Sequence, residues 1–233
     1  MGILHEKIYN RRFNKVKYSA ANLDNTWDIL VKKVFQKYIH SSATVLDLGT
    51  GNGKFIMRVN AMKKHAVDIN GDAADYFSGT DVKFYKSSSV TLPMIEDNSH
   101  DVVFTSNMLE HLRNYEELFA TLREVFRILK KNRNSTLIIM IPNGNKVGSK
   151  FYDFIDHTLN LTDKSLIEVL EIENFTIVES IPGFLPYTAQ NGKFKVPKWL
   201  IYFYILLPIR NRPFAGQMLL IAKIETNYTE NAE

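Results

Sequence analysis

The chain has 233 residues, a length that one α/β core can fill, and its 45% hydrophobic and 23% charged residues exclude a disordered or fibrous protein. It contains no cysteine, which excludes disulfides and thiolate chemistry and fits a reducing compartment. A formal net charge of +4 without a concentrated Lys/Arg stripe is weak ground for a nucleic-acid partner.

In chain order, residues 1 to 18 mix Glu6, Lys7, Arg11, Arg12, Lys15 and Lys17 with single apolar residues and lack the apolar run of a secretory signal. Gly2 is not followed by Ser or Thr at position 6, which is Glu6, so the myristoylation pattern fails. A cytoplasmic location is expected. Residues 1–40 read as an N-terminal helical lid or cap: Tyr9, Phe13 and Tyr18 stand among basic residues, and an amphipathic helix spans Trp27 to Tyr38 behind a cap at Asn25 or Thr26. From there strands and helices alternate. Strands are predicted at residues 44–48, 66–69, 82–85, 101–105, 137–141, 175–181 and 217–224. Helices are predicted from Lys54 to Asn60, along the apolar stripe Leu118, Leu122, Val125, Phe126 and Leu129, and behind Thr162 to about Asn174. This rhythm implies an α/β fold with a doubly wound, mostly parallel sheet, because parallel strands need crossovers that cover both faces. Residues 41–225 form that domain, 146–161 and 182–213 read as insertions carrying specificity, and 226–233 as a disordered tail.

In open α/β sheets ligands bind at the carboxyl ends of the strands, and the run Asp47-Leu48-Gly49-Thr50-Gly51-Asn52-Gly53 follows the first strand. Gly49, Gly51 and Gly53 permit a tight turn and close backbone approach by a nucleoside ligand, and their N–H groups suit a carboxylate or phosphate. The spacing is Gly-x-Gly-x-Gly rather than the Gly-x-Gly-x-x-Gly of dinucleotide enzymes. Asp47, two residues earlier, would repel a pyrophosphate and attract an ammonium; equally, it could cap a backbone N–H within the loop. Asp68, at the end of the second strand, can accept hydrogen bonds from vicinal ribose hydroxyls, or act as a helix cap.

Together with Val67-Asp68-Ile69, Leu92-Pro93, Asp97 to Val103, Met108-Leu109-Glu110-His111 and Arg127-Ile128-Leu129-Lys130, the loop resembles the class I S-adenosylmethionine-dependent methyltransferases over about residues 44 to 142. The resemblance implies a Rossmann-like, seven-stranded sheet with helices on both faces and an antiparallel last strand. It also implies S-adenosylmethionine as cofactor, held by Asp47, Gly49, Thr50, Gly51, Gly53, Asp68, Ile69, Ser88, Ser89 and Asn107. Residues 154–166 and 184–188 look like a narrower group associated with glycan assembly. Two positions depart from the pattern: Ser88 stands where an acid is frequent, and Lys131-Asn132-Arg133-Asn134 replaces a glycine turn.

Methyl transfer to a hydroxyl benefits from a general base, and His111 and His157 are the candidates; both could instead serve packing. Asp156 could orient the neighbouring His157 imidazole. No Asp/His set has metal-ligand spacing along the chain, so no metal is predicted. Thr105-Ser106-Asn107-Met108 lacks the Asn/Asp-Pro-Pro-aromatic sequence of DNA base methylases, and neither DNA nor RNA is the expected partner. The expected acceptor is a small molecule, sugar or glycan intermediate. Between Ser180 and Lys223 there is no acid, while Lys193, Lys195, Lys198, Arg210 and Arg212 flank the apolar run Trp199 to Ile209. That run is too short to span a bilayer, which takes roughly 20 residues. It suits peripheral contact with a membrane or lipid-linked substrate through 193–212, or packing on the sheet. Rival readings are a non-catalytic nucleoside-binding or scaffold protein of the same fold, an RNA methyltransferase and an NAD(P)-dependent oxidoreductase.

Overall fold

The computed structural model describes residues 20–187 and 196–225. Seven strands form one sheet: β1 (Thr44–Leu48), β2 (Lys63–Asp68), β3 (Val82–Lys86), β4 (Val102–Ser106), β5 (Thr136–Pro142), β6 (Phe175–Pro186) and β7 (Ala215–Ile224). Their order is β3-β2-β1-β4-β5-β7-β6, parallel from β1 to β5, with β7 antiparallel to both its neighbours. β1 lies between β2 and β4, so the winding direction reverses there and the loops after β1 and β4 part to leave a crevice. β1 and β5 are buried along their whole length, as expected of strands covered on both faces.

Alternation along each strand divides the core into two layers. On one face Leu46, Leu48, Val103 and Ile139 pack beneath α2 (Tyr115–Ile128) and α4 (Asp163–Ile172). On the other, Val45, Phe104, Ile138 and Leu219 pack beneath α1 (Ala20–Leu30) and α5 (Lys198–Leu206). Phe55 stacks on Phe104 with centroids 3.8 Å apart, and Phe35 meets Phe104 edge-on at 5.1 Å. The helix starts are capped as their sequences suggest: Asn114 accepts the Glu117 N–H, and Thr162 and Ser165 form a reciprocal capping box. A short α3 (Gly144–Val147) follows β5. Among the described residues no helix is long and apolar enough to cross a membrane.

Several expectations need correction. Residues 54–60 form turns, not a helix, although Met57 N–H reaches Gly53 O and Val59 N–H reaches Phe55 O, each at 3.1 Å. Seven residues between Gly53 and Ala61 are too few for a self-supporting helix, and burial of Phe55, Ile56 and Val59 sets the path instead. α1 covers Ala20–Leu30, so Asn25 and Thr26 lie inside it and not at its N-cap. In the described part of 1–40, Ile29, Leu30, Val31, Val34 and Phe35 belong to the core; Tyr9, Phe13 and Tyr18 lie outside the described residues, as do Lys193, Lys195 and the tail 226–233. Residues 182–186, expected in an insertion, are the end of β6, which continues past register shifts at Ile177/Glu179 and Ile181/Leu185.

Candidate active site

The loop after β1 is sewn to β2: the N–H groups of Gly49 and Thr50 both donate to Val67 O, at 2.9 and 3.0 Å. Gly49, Gly51 and Gly53 take φ of +75°, +54° and +70°, the left-handed region that glycine enters without a Cβ penalty. Packing demands glycine too. A Cβ at Gly49 would lie 2.4 Å from Met108 Cγ, and one at Gly53 would lie 2.6 Å from Phe77 Cε1. The loop therefore closes against the turn after β4 with backbone alone, leaving a cradle at the switch point.

Two acids hold it. Asp68 accepts the Gly51 N–H through Oδ2 and the Asn70 N–H through Oδ1, both at 2.8 Å, which binds the end of β2 to the glycine loop. Burial raises its pKa, against the opposing pull of the Asn70, Gly51 and Ile69 N–H groups and of His111. A carboxylate has about four acceptor sites, so Asp68 retains capacity for ribose hydroxyls. Asp47 is 3% exposed, shares the β1 face of Val45, and accepts hydrogen bonds from the Thr50 hydroxyl at 2.7 Å and from the Ile56 N–H, the capping role the sequence also allowed. Burial pushes its pKa up to about 7. These bonds tie the loop together.

Ile69, next to Asp68, leaves 62% of its surface exposed at the strand's carboxyl end, where a flat base can cover it. Asn107 follows β4 with φ +50°, donates its N–H to Met140 O, and accepts the Gln217 amide at 3.0 Å. Ser88 caps the Val90 N–H at 3.3 Å. Ser89 is turned away from the cradle, buried against α2 with its hydroxyl 3.0 Å from that of Thr121.

The two histidines proposed as alternatives are neighbours. His111, in the turn after β4, and His157, in the segment after α3, have ring centroids 4.8 Å apart. Thr158 N–H and Leu159 N–H both donate to Glu110 O, at 2.8 and 3.1 Å, which pins the second segment to the first. His157 stacks on Phe154, packs beside the fully buried Phe151, and sets Nδ1 3.3 Å from the Tyr187 hydroxyl. Asp156 contacts His111: His111 Nδ1 lies 3.0 Å from Asp156 O and 3.3 Å from its Oδ2. Burial pushes the His111 pKa down, but Asp156 and Glu110 together outweigh it and raise the pKa above the ordinary value. Glu110 is 2% exposed, and burial lifts its pKa to about 7. His111 acts electrostatically on Asp68, favouring its charged form, which couples this cluster to the glycine loop.

Glu110 and Tyr187 join the histidines here, and their sequence signals, an acid inside the apolar Met108-Leu109 to Leu112 stretch and an aromatic just after β6, do not reveal the convergence, nor does the spacing of His111 and His157. A groove of about 580 Å³ opens elsewhere, between the turn after α1, β6 and α5. Lys33, Lys37, Phe184, Ile205, Arg210 and Arg212 line it, and no residue predicted for the cofactor cradle does.

Residues 46–133 match the family model described as a methyltransferase domain. No curated protein matches. Among solved structures, an S-adenosylmethionine-dependent methyltransferase from Archaeoglobus fulgidus is similar at 24% identity, covering 81% of this chain and 89% of that one with TM-score 0.60. An S-adenosylmethionine-dependent methyltransferase from Clostridium acetobutylicum covers 93% and 99% at 11% identity with TM-score 0.63. The [4+2]-cyclase SpnF covers 87% and 80% at 17% identity with TM-score 0.61.

Proposed function

We propose that the chain is a class I S-adenosylmethionine-dependent methyltransferase that methylates a hydroxyl of a sugar, glycan intermediate or other small molecule, a reading supported by the match of residues 46–133 to a methyltransferase domain. The observation that carries the reading is the convergence of Glu110, His111, Asp156 and His157 beside Asp68, which puts a basic cluster next to the cofactor cradle. The cradle fits the cofactor: glycines at 49 and 53 stand where a Cβ would collide, Asp68 offers acceptors to the ribose, and exposed Ile69 offers an apolar face to the base. The chemistry supplied there is an electrophilic methyl on a sulfonium, passed to the acceptor oxygen while the carbon–sulfur electron pair stays on sulfur. Holding the partners in line can lower the barrier by roughly 7–11 kcal/mol. Phe151 and Phe154 wall the cluster against water, and the acceptor proton leaves on the side of His111 and His157.

Calorimetric titration with S-adenosylmethionine and its demethylated product tests the cradle. Wild type should bind both, and Asp68→Ala should lose both while its circular dichroism is unchanged. Labelled methyl transfer into sugar and glycan pools should then disappear in His157→Ala, which keeps cofactor binding. A folded wild type that binds neither nucleoside overturns the reading. The SpnF likeness favours checking products by mass, since a cyclisation would leave the methyl donor unconsumed.

The surface of α5 supports a second element of the proposal, that the acceptor is met at an anionic membrane surface. Trp199 and Phe203 are 63% and 62% exposed, and exposed Lys198 and Arg210 flank the helix. Exposed Lys32, Lys33 and Lys37 lie on the turn that follows α1, the helix against which α5 packs. Aromatics beside cations suit the interface between acyl chains and anionic headgroups.

A further inference from the structure

We propose that Glu110, His111 and His157 form a binding site for a divalent transition-metal ion, with room for an acceptor oxygen as a further ligand. Each of the three offers a ligand atom, and these atoms all lie within 4.8 Å of one another. Donors around a first-row cation with bonds of about 2.1 Å stand roughly 3.0–3.4 Å apart, so side-chain rotation has to close the set by about an ångström or more.

The carboxylate is the stronger half of the argument. Glu110 is 2% exposed and its Oε2 meets no hydrogen-bond donor among the described residues. A buried carboxylate oxygen without a partner is unfavourable unless the group is neutralised or takes a cation. The histidines are also held as metal ligands are held. Asp156 receives His111 Nδ1 through its carbonyl and carboxylate, leaving Nε2 to face an ion, and the Tyr187 hydroxyl lies against His157 Nδ1. Partners of this kind fix tautomer and ring direction around metals. The backbone ties from Thr158 and Leu159 to Glu110 O hold the two ligand-bearing segments in register.

Two imidazoles and one carboxylate suit zinc, iron, cobalt, nickel or manganese better than magnesium or calcium, which prefer oxygen alone. Three protein ligands leave positions for an acceptor, and vicinal hydroxyls of a sugar would occupy two of them. A hydroxyl bound to the ion loses its proton to water more readily, and the resulting alkoxide takes the methyl from sulfonium with the carbon–sulfur pair left on sulfur. The catalytic consequence rests on the function proposed above, but metal binding does not.

The test uses the full chain, stripped with chelator and titrated with Co2+ alone, followed by visible absorption and calorimetry. One equivalent should bind with the spectrum of mixed nitrogen and oxygen ligation, Zn2+ should displace it, and Mg2+ should not. Glu110→Gln and His157→Ala should each abolish uptake, and Asp156→Asn should weaken it by about 10- to 100-fold, all three still binding the demethylated cofactor product. A stripped, folded protein that binds the nucleoside and takes up no Co2+ overturns the proposal, as does undiminished uptake by Glu110→Gln. Co2+ uptake with no nucleoside binding would sustain the metal site and sink the methyltransferase reading instead.

Discussion

Glu110 and His100 are both buried ionisable groups, yet they bend the pH dependence of stability in opposite directions. Burial raises the Glu110 pKa from 4.5 to about 7. Its contribution is therefore complete below about 4.5 and is lost as pH rises through 7, an effect on the order of 3 kcal/mol at most. Glu110→Gln should melt higher than metal-free wild type at pH 8 and equal it near pH 4.5; equal melting at both would show that this carboxyl carries no such burden. His100 is 1% exposed, and burial, helped by His65 with Nδ1 2.8 Å from its Nε2, pulls its pKa down to about 3. That stability is present above about 6.5 and is lost as pH falls from there toward 3. In His100→Gln the loss between pH 6.5 and 4 should be shallower than in wild type, as read by denaturant titration. Sequence alone showed the residue types of the site but not their partners. Asp47 could be seen in the sequence as a ligand-facing acid or a loop cap, and its bonds to Thr50 and Ile56, which no local pattern names, are what the structure adds.

At the scale of elements, legibility followed periodicity and capping chemistry. Thr162 could be recognised as a cap because its partner Ser165 is three residues away, and β1 and β5 because their apolar runs lie between polar turns. The stretch 54–60 misled because buried Phe55, Ile56 and Val59 have helical spacing while the segment spans less than two helical turns. β6 runs past its expected end at 181, through Pro182 and Gly183, because a register shift between Ile181 and Leu185 accommodates both. The pairing of Asp156 with His111 joins segments far apart along the chain, and no local pattern encodes that. In the sequence α5 could be a membrane face or, more readily, a packing helix; it packs through Ile205, buried in the core, and leaves Trp199 and Phe203 exposed. Trp199→Ala with Phe203→Ala should therefore keep the melting temperature and lose flotation with vesicles containing phosphatidylglycerol; flotation equal to wild type would remove the membrane from the proposal.

In the whole molecule, the reversal of strand order between β1 and β4 places the cradle, the turn bearing Glu110 and His111, and the segment bearing His157 at one end of the sheet. The groove beside α5 shares none of the cradle residues, so contact there leaves the cradle unobstructed. The position of β7 has a consequence for synthesis. β6 bonds to no strand except β7, which itself must first bond to β5. A nascent chain emerging through residue 214 can assemble β1 to β5, but β6 then lacks its one strand partner in the sheet and is held only by side-chain bonds such as that from Tyr38 to Glu179 and by packing against α4. Ribosome-bound chains ending there should be cleaved by protease within 175–187, and those that have emerged through residue 224 should resist. The glycine loop and the turn after β4 thus emerge well before the strand that completes the sheet beside β6.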